Sequence, residues 1–256
     1  MITWLLVGLL LMLIAFAVVW AIGVKIRNYS FLDAIWSYGV AILAPIYALA
    51  GPGHFERKVA FTLLGVAWSL RLGTYIFVRV LRHHPQEDVR YEGLRARWNG
   101  SGMFLVFHEL QAVIVLVFSL PFLLAAWWHM PLGALEISGL GLVVVALVGE
   151  TVADRQMQHF KSDPANKGRV CAAGLWRYSR HPNYFCEFLV WVGFAVASLH
   201  TPHGWITLIC PLLMYYFLTK VTGIPLTEEY SLKSKGDAYR EYQRATNAFF
   251  PWFPKS

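Results

Sequence analysis

The chain has 256 residues, of which 57% are hydrophobic and only 14% are charged, and its mean hydropathy is +0.48. Because soluble domains carry about 25% charged residues, this composition excludes an ordinary soluble protein and favours helices that face lipid. The formal net charge of +7 rests on Lys and Arg residues in short loops between apolar stretches, which indicates membrane orientation rather than nucleic-acid binding.

Seven apolar stretches are long enough to cross a bilayer, for which about 20 residues are needed. They lie near residues 2–24, 31–50, 58–80, 102–128, 133–152, 184–200 and 204–223. The first has no preceding basic region and is too long for a signal peptide, so we expect it to remain as a membrane helix. The sequence therefore predicts an all-α, polytopic bundle of about seven transmembrane helices, forming one domain over residues 1–256.

Basic residues are concentrated after the third and fifth predicted spans and in the C-terminal tail, whereas the connections near Met130 and Thr201 carry none. The positive-inside rule then places the N-terminus outside and the C-terminus inside. Arg57 and Lys58 are the exception, since they fall on the outer side. The three cysteines, at positions 171, 186 and 210, show no paired spacing, so we predict packing roles rather than a disulfide or a metal site.

Two ionisable residues lie inside predicted spans, where charge is costly and therefore indicates a function. Asp33 in the second span is either a buried acid that donates a proton or the structural ion-pair partner of Arg71 in the third. Tyr38 and Tyr75 are alternative proton donors, although a tyrosine at such a position commonly serves packing.

The end of the fifth span carries polar residues at helical spacing, and these are Glu150, Asp154, Gln158 and Lys161. Carboxylates can accept hydrogen bonds from ribose hydroxyls and a lysine can bind a phosphate, which favours a nucleotide-binding face. The alternative is a solvated last helical turn. A Gly-x-Gly-x-x-Gly motif after a strand is missing from this part of the sequence, so a Rossmann domain is not expected.

The segment 174–187 combines cations, amides and a carboxylate directly before the sixth span. Arg180 and His181 offer donors for phosphate or carboxylate, and Asn183 can both donate to and accept from a planar amide. Glu187 follows Asn183 by one helical turn, so the two share a face. The alternative is an interfacial anchor in which basic and aromatic side chains reach the lipid headgroups.

The tail from 227 to 254 mixes acidic, basic and tyrosine residues before an apolar Phe-Phe-Pro-Trp-Phe-Pro ending. This pattern is typical of an amphipathic interface helix followed by a membrane anchor. Alternatively, the tail closes over a bound cofactor.

Together, four segments resemble the steroid 5α-reductase-like membrane proteins, in particular their bacterial branch. These segments are 87–91, 150–161, 174–187 and 239–254. The resemblance implies that NADPH binds at the cytoplasmic helix ends, that a steroid-like substrate enters the bundle from the bilayer, and that the protein lies in a bacterial inner membrane. The His-Pro-Asn-Tyr core is shared more loosely with sterol reductases and isoprenylcysteine carboxyl methyltransferases.

The resemblance also implies roles for individual residues. Asn183 and Glu187 correspond to the family's residues beside the nicotinamide. Other positions match family residues near the nucleotide, and they are Arg82, Glu150, Asp154, Lys161 and Tyr178. Two positions depart from the pattern, because Trp68 replaces the catalytic tyrosine and only Asp33 lies near the place of its glutamate partner.

We therefore expect an NADPH-dependent reductase of a C=C bond conjugated to a carbonyl in a steroid or lipid-like substrate. Arg180 and His181 belong to its cofactor site, and Asp33, Tyr38 and Glu187 are the candidate catalytic groups. The first alternative is a methyltransferase that uses S-adenosylmethionine, favoured by the segment 180–184 and by the pair 228–229. The second is a non-catalytic sterol or lipid binder, favoured by Trp68.

Overall fold

The computed structural model describes residues 1–98 and 100–255, and its regular structure over these ranges is helical. The helices of the first half are α1 (Ile2–Ile26), α2 (Leu32–Ala50), α3 (Phe55–His83), α4 (Val89–Arg97), α5 (Ser101–Phe118) and α6 (Leu120–Trp127). Those of the second half are α7 (Ala134–Ser162), α8 (Pro182–Ser198), α9 (Ile209–Tyr216), α10 (Ile224–Lys235) and α11 (Asp237–Ala245). The predicted all-α class is confirmed.

Within the described residues, six helical stretches are long and apolar enough to cross a membrane. They are Ile2–Ile26, Leu32–Ala50, Phe55–His83, Ser101–Trp127, Ala134–Ser162 and Gly204–Lys235. The sixth predicted span, 184–200, corresponds to α8, which has 17 residues and is about 25 Å long at 1.5 Å per residue, slightly less than the hydrocarbon core. The protein is a polytopic integral membrane protein.

Two of the predicted spans differ in detail from the helices observed. The fourth is interrupted at Ser119, whose hydroxyl donates to the Leu116 carbonyl at 2.7 Å, and Pro121 then lacks the N–H that a continuous helix would use. The fifth continues to Ser162, ten residues past its predicted end, because its polar last turns still favour a helix. Hydropathy thus predicts where the spans lie but does not predict where their polar ends stop.

The chain forms two compact units, which are described separately. Unit 1 comprises Met1–Gly133 with His200–Gly204, and unit 2 comprises Ala134–Leu199 with Trp205–Ser256. In unit 1, the fully buried Arg57 donates to the carbonyls of Trp128, Met130 and Pro131. Lys58 Nζ donates to the Gly51 carbonyl at 2.8 Å. These two cations, which break the positive-inside pattern, therefore bind loop carbonyls.

In unit 2, α7 packs closely along α8 because glycines meet at the crossing. A Cβ on Gly139 would lie 2.7 Å from the Gly193 carbonyl oxygen, and a Cβ on Gly193 would lie 2.7 Å from the Gly139 carbonyl oxygen. Small residues of this kind let two helix backbones approach within a membrane. The functional residues of α7 and α8 are thereby brought within hydrogen-bond reach of each other.

We predict that Gly193→Val separates α7 from α8 and lowers the free energy of unfolding by about 1–3 kcal/mol, the usual cost of overpacking. Thermal unfolding of the detergent-solubilised protein measures this change. Gly141→Ala is the matched control, because a Cβ there meets nothing within 4 Å. Equal melting temperatures for Gly193→Val and the wild type would contradict the close crossing.

Candidate functional site

The seam between α7 and α8 brings together four of the polar residues that the sequence singled out. Asn183 Nδ2 lies 3.3 Å from Asp154 Oδ1. About one helical turn further along both helices, Gly149 of α7 lies against Cys186 of α8, because a Cβ added to Gly149 would be 2.9 Å from Cys186 Sγ. This antiparallel register puts Glu150 and Glu187 at neighbouring levels of the same seam. The spacing in the sequence predicted that residues 150 and 154 share one helix face and that residues 183 and 187 share another. The packing of α7 against α8 brings these two faces together.

Glu150 and Glu187 are buried, with 4% and 5% of their surface exposed. Glu187 Oε1 accepts from Trp191 Nε1 at 3.0 Å, one turn along α8, which fixes the rotamer of the carboxylate. Buried carboxyl groups are costly unless they are hydrogen-bonded or meet a cation. Three acidic side chains thus lie along one seam with the Asn183 amide, and negative charge there favours a cationic ligand over an anionic one.

The Asn183 side chain has an unsatisfied buried acceptor. Its Oδ1 atom is buried and has no hydrogen-bond partner among the described residues, while its Nδ2 donates to Asp154. A buried acceptor left without a donor costs about 1–3 kcal/mol, and such atoms concentrate at functional sites. Asn183 Oδ1 is therefore placed to accept from an N–H or O–H group of a ligand.

The turn that leads into α8 is fixed on α7 by hydrogen bonds. Gly174 has φ +59° and a Cβ there would clash with Gln156, so glycine is needed. The Gln156 Oε1 atom accepts from the Leu175 N–H at 2.9 Å, and Trp176 Nε1 donates to the Ala153 carbonyl at 3.0 Å. These contacts hold the first turn of α8 against the end of α7.

Arg180 and Glu228 form a shielded ion pair at the start of α8. Arg180 Nε lies 2.7 Å from Glu228 Oε1, and the two side chains are 10% and 14% exposed. Glu228 also accepts from Gln243 Nε2 at 2.7 Å, and the Arg180 Nη1 atom donates to the carbonyls of Gln243 and Thr246. The guanidinium is thus largely occupied by protein groups, although the sequence predicted that it would bind a cofactor phosphate.

His181 is buried beside this ion pair. Its Nε2 atom lies 3.2 Å from Glu228 Oε1, and its ring stacks on Tyr184 at a centroid distance of 5.3 Å. Burial lowers the pKa of His181, and the hydrogen bond to Glu228 only partly offsets it. At neutral pH the neutral imidazole therefore donates its Nε2 proton to Glu228, and it adds no positive charge for a phosphate.

The C-terminal segment after α11 runs along the 178–181 turn. The Arg180 N–H donates to the Asn247 carbonyl at 2.9 Å, and the Trp252 N–H donates to the Tyr178 carbonyl at 2.9 Å. Phe249 is buried between the rings of Phe185 and Tyr215. The tail, which includes the helices α10 and α11, is thus part of unit 2.

Three other predicted cofactor residues are exposed. Lys161 lies near the end of α7, Tyr178 lies in the turn before α8 with its ring against Phe253, and Arg82 lies near the end of α3 in unit 1. Arg82 therefore belongs to a different compact unit from Asn183 and Glu187.

The candidate proton donors also lie in unit 1. Asp33 accepts from Arg90 and from the Tyr91 hydroxyl, the latter at 2.7 Å. The Tyr38 hydroxyl lies 3.0 Å from Thr74 Oγ1. The sequence suggested Arg71 as the ion-pair partner of Asp33, whereas the structure shows Arg90 in contact with it. The sequence feature that could have indicated Arg90 is its position in the polar segment 87–91.

Comparisons with known proteins place the chain in a family. The model of the DUF1295 family, described as a protein of unknown function, matches residues 19–246. An uncharacterized protein of Schizosaccharomyces pombe is 29% identical over 96% of this chain and 79% of its own length. A protein of Ustilaginoidea virens named probable O-methyltransferase ustE is 34% identical over 38% of this chain and 32% of its own length. No solved structure gives a significant match.

We predict that Glu228→Ala releases α11 and the C-terminal segment from the 178–181 turn. Removing one partner of a shielded ion pair leaves the other charge uncompensated and costs about 3–5 kcal/mol. Hydrogen exchange of residues 237–250 should accelerate accordingly. Glu229→Ala is the matched control, because its i,i+4 pair with Lys233 is exposed and solvent screens such pairs. Equal exchange in the two variants would refute this role.

Proposed function

This chain belongs to the DUF1295 family of proteins of unknown function, and we propose that it is a membrane methyltransferase that uses S-adenosylmethionine. The observation that carries the proposal is the α7/α8 seam, in which the Asn183 amide contacts Asp154 and has an unsatisfied acceptor, with Glu150 and Glu187 buried one helical turn away. The name of the Ustilaginoidea virens relative, probable O-methyltransferase, supports the same reaction class.

The charge of the seam distinguishes the two cofactors. S-adenosylmethionine carries a sulfonium and an ammonium group, and cations of this kind are favoured beside carboxylates. NADPH carries three phosphate groups, which need available cations and N–H donors. Arg180 is occupied by Glu228 and two carbonyls, and His181 is neutral at neutral pH. The residues of this seam therefore fit S-adenosylmethionine better than NADPH.

Each residue has a definite part in this proposal. The Asn183 Oδ1 atom accepts from the ammonium group or a ribose hydroxyl, and Asp154 holds the Asn183 amide in place through the contact at 3.3 Å. Glu187, oriented by Trp191, stabilises positive charge. When bound, the cofactor would supply an electrophilic methyl group on its sulfonium sulfur, and the thioether would be the leaving group.

The acceptor in this proposal is a hydroxyl or carboxylate oxygen of an apolar molecule that enters from the bilayer. The oxygen follows from the name of the relative, and the apolar character follows from the membrane location of the protein. A carboxylate acceptor is already anionic at neutral pH and needs no general base, whereas a hydroxyl acceptor needs a base to remove its proton.

The reductase that the sequence predicted is the second candidate. The exposed Lys161 near the end of α7 favours it, because a free ammonium group there suits a phosphate. In this alternative Asn183 faces the nicotinamide amide. The reductase requires NADPH binding and substrate-dependent oxidation of the cofactor, neither of which the methyltransferase requires. A protein that binds neither cofactor would instead fit the non-catalytic lipid binder.

We predict that S-adenosylhomocysteine binds the detergent-solubilised protein and that NADP⁺ does not. Asn183→Ala should weaken S-adenosylhomocysteine binding about tenfold, since a hydrogen bond to a charged group contributes about 1.5–3 kcal/mol. Isothermal titration measures both affinities. Asn166→Ala is the matched control, because its side chain donates to the Phe160 carbonyl in the turn after α7. NADP⁺ binding that Asn183→Ala abolishes would favour the reductase.

We also predict that Glu187→Gln weakens a cationic cofactor analogue more than a neutral one. Sinefungin carries an amine in place of the sulfonium, whereas S-adenosylhomocysteine has an uncharged sulfur there. Losing the carboxylate charge should reduce sinefungin affinity about tenfold and S-adenosylhomocysteine affinity much less. Competition binding of the two analogues measures the ratio. An unchanged ratio would show that the seam does not recognise the sulfonium charge.

A further inference from the structure

Unit 1 contains two neighbouring cavities that share two arginines. The first, named the apolar cavity for the side chains of Val24, Tyr29, Trp98 and Phe104, has about 320 Å³ and is also lined by Arg27, Arg95, Gly100 and Ser101. The second, named the polar cavity for the side chains of Gln86, Glu87 and Glu92, has about 560 Å³ and is also lined by Pro85, Ala96 and the same two arginines. The two cavities thus meet at a pair of guanidinium groups.

The position of these cavities relative to the spans indicates a membrane boundary. α1 ends at Ile26 and α5 begins at Ser101, and Trp20 Nε1 donates to the Ser101 carbonyl at 2.9 Å, so these two ends lie together. Val24 and Phe104 belong to the spans, whereas Arg27 and Arg95 lie outside them. The apolar cavity therefore reaches into the hydrocarbon side and the polar cavity into the headgroup side.

The arginine pair is arranged for an anion. Two contacts with Glu87, at 2.9 and 3.0 Å, hold the Arg95 guanidinium, which lies 4.8 Å from the centre of the Tyr29 ring. Arg27 is exposed in the left-handed conformation at the end of α1, with φ 55°. A prearranged guanidinium beside an exposed one is suited to a phosphate.

The complete charge set favours a zwitterion over a simple anion. Arg95 and Glu87 form an ion pair with each other, and the exposed Arg27 and Glu92 are charges of opposite sign that line the same polar cavity. An overall neutral site of separated charges is complementary to a neutral ligand whose phosphate and ammonium are separated in the same way. An ammonium that retains its N–H groups can also donate hydrogen bonds to carboxylates.

We propose that the two cavities form a binding site for a phospholipid with a primary amine in its headgroup. The phosphate lies between Arg27 and Arg95, the ammonium lies beside Glu92, and the start of an acyl chain occupies the cavity at Trp98 and Phe104. This site is independent of the methyltransferase proposal, because each of its residues belongs to unit 1.

Native mass spectrometry of the full chain with dioctanoyl phosphatidylethanolamine, phosphatidylcholine and phosphatidylglycerol tests the site. We expect phosphatidylethanolamine to bind most tightly. Arg27→Gln should weaken it about tenfold, as expected for the loss of a charge-assisted hydrogen bond. Arg97→Gln is the matched control, since Arg97 is exposed at the end of α4 and lines neither cavity. Unchanged thermal unfolding of Arg27→Gln shows that the variant is folded, and Arg27→Lys replaces it if it is not.

A second variant tests the ammonium end of the site. Glu92→Gln should reduce the preference for phosphatidylethanolamine over phosphatidylglycerol while leaving phosphate binding at Arg27 intact. Stronger binding of phosphatidylglycerol by the wild type, or equal losses in Arg27→Gln and Arg97→Gln, would overturn the proposal. Displacement of the lipid by millimolar inorganic phosphate would identify a simple anion site and would also overturn it.

Discussion

The carboxylate of Glu228 joins parts of unit 2 that are distant in sequence. It accepts from Arg180 and His181 at the start of α8 and from Gln243 on α11. Because the ion pair is shielded from water, removing one partner leaves the other as an uncompensated charge, which lowers the stability of the fold. The position of the first turn of α8, and with it that of Asn183, depends on this carboxylate.

Apolarity and length were enough to predict the membrane helices, because the bilayer requires about 20 apolar residues for each crossing. The polar last turns of α7 and the break between α5 and α6 at Ser119 were not predicted. The last turns of α7 are polar, so hydropathy does not show that the helix continues through them. The break between α5 and α6 depends on one proline and on one serine hydrogen bond, which hydropathy does not show either. The contact between Gly139 and Gly193 could not be predicted either, because no spacing in the sequence relates these two glycines.

The candidate site could be predicted where its residues are neighbours on one helix. Asn183 with Glu187, and Glu150 with Asp154, follow directly from the spacing of one helical turn. The partners of Arg180 and Asp33 could not be predicted, since Glu228 is 48 residues and Arg90 is 57 residues away along the chain. Contacts at that separation are set by tertiary packing, and the same residue types fit a phosphate site or an internal ion pair equally well.

The C-terminal segment contacts the turn before α8 through the carbonyls of Thr246, Asn247 and Phe249. Opening of this segment would remove the Thr246 carbonyl from the shielded Arg180 guanidinium and would let water reach the start of α8. The local stability of the segment therefore sets how often the first turn of α8 is exposed.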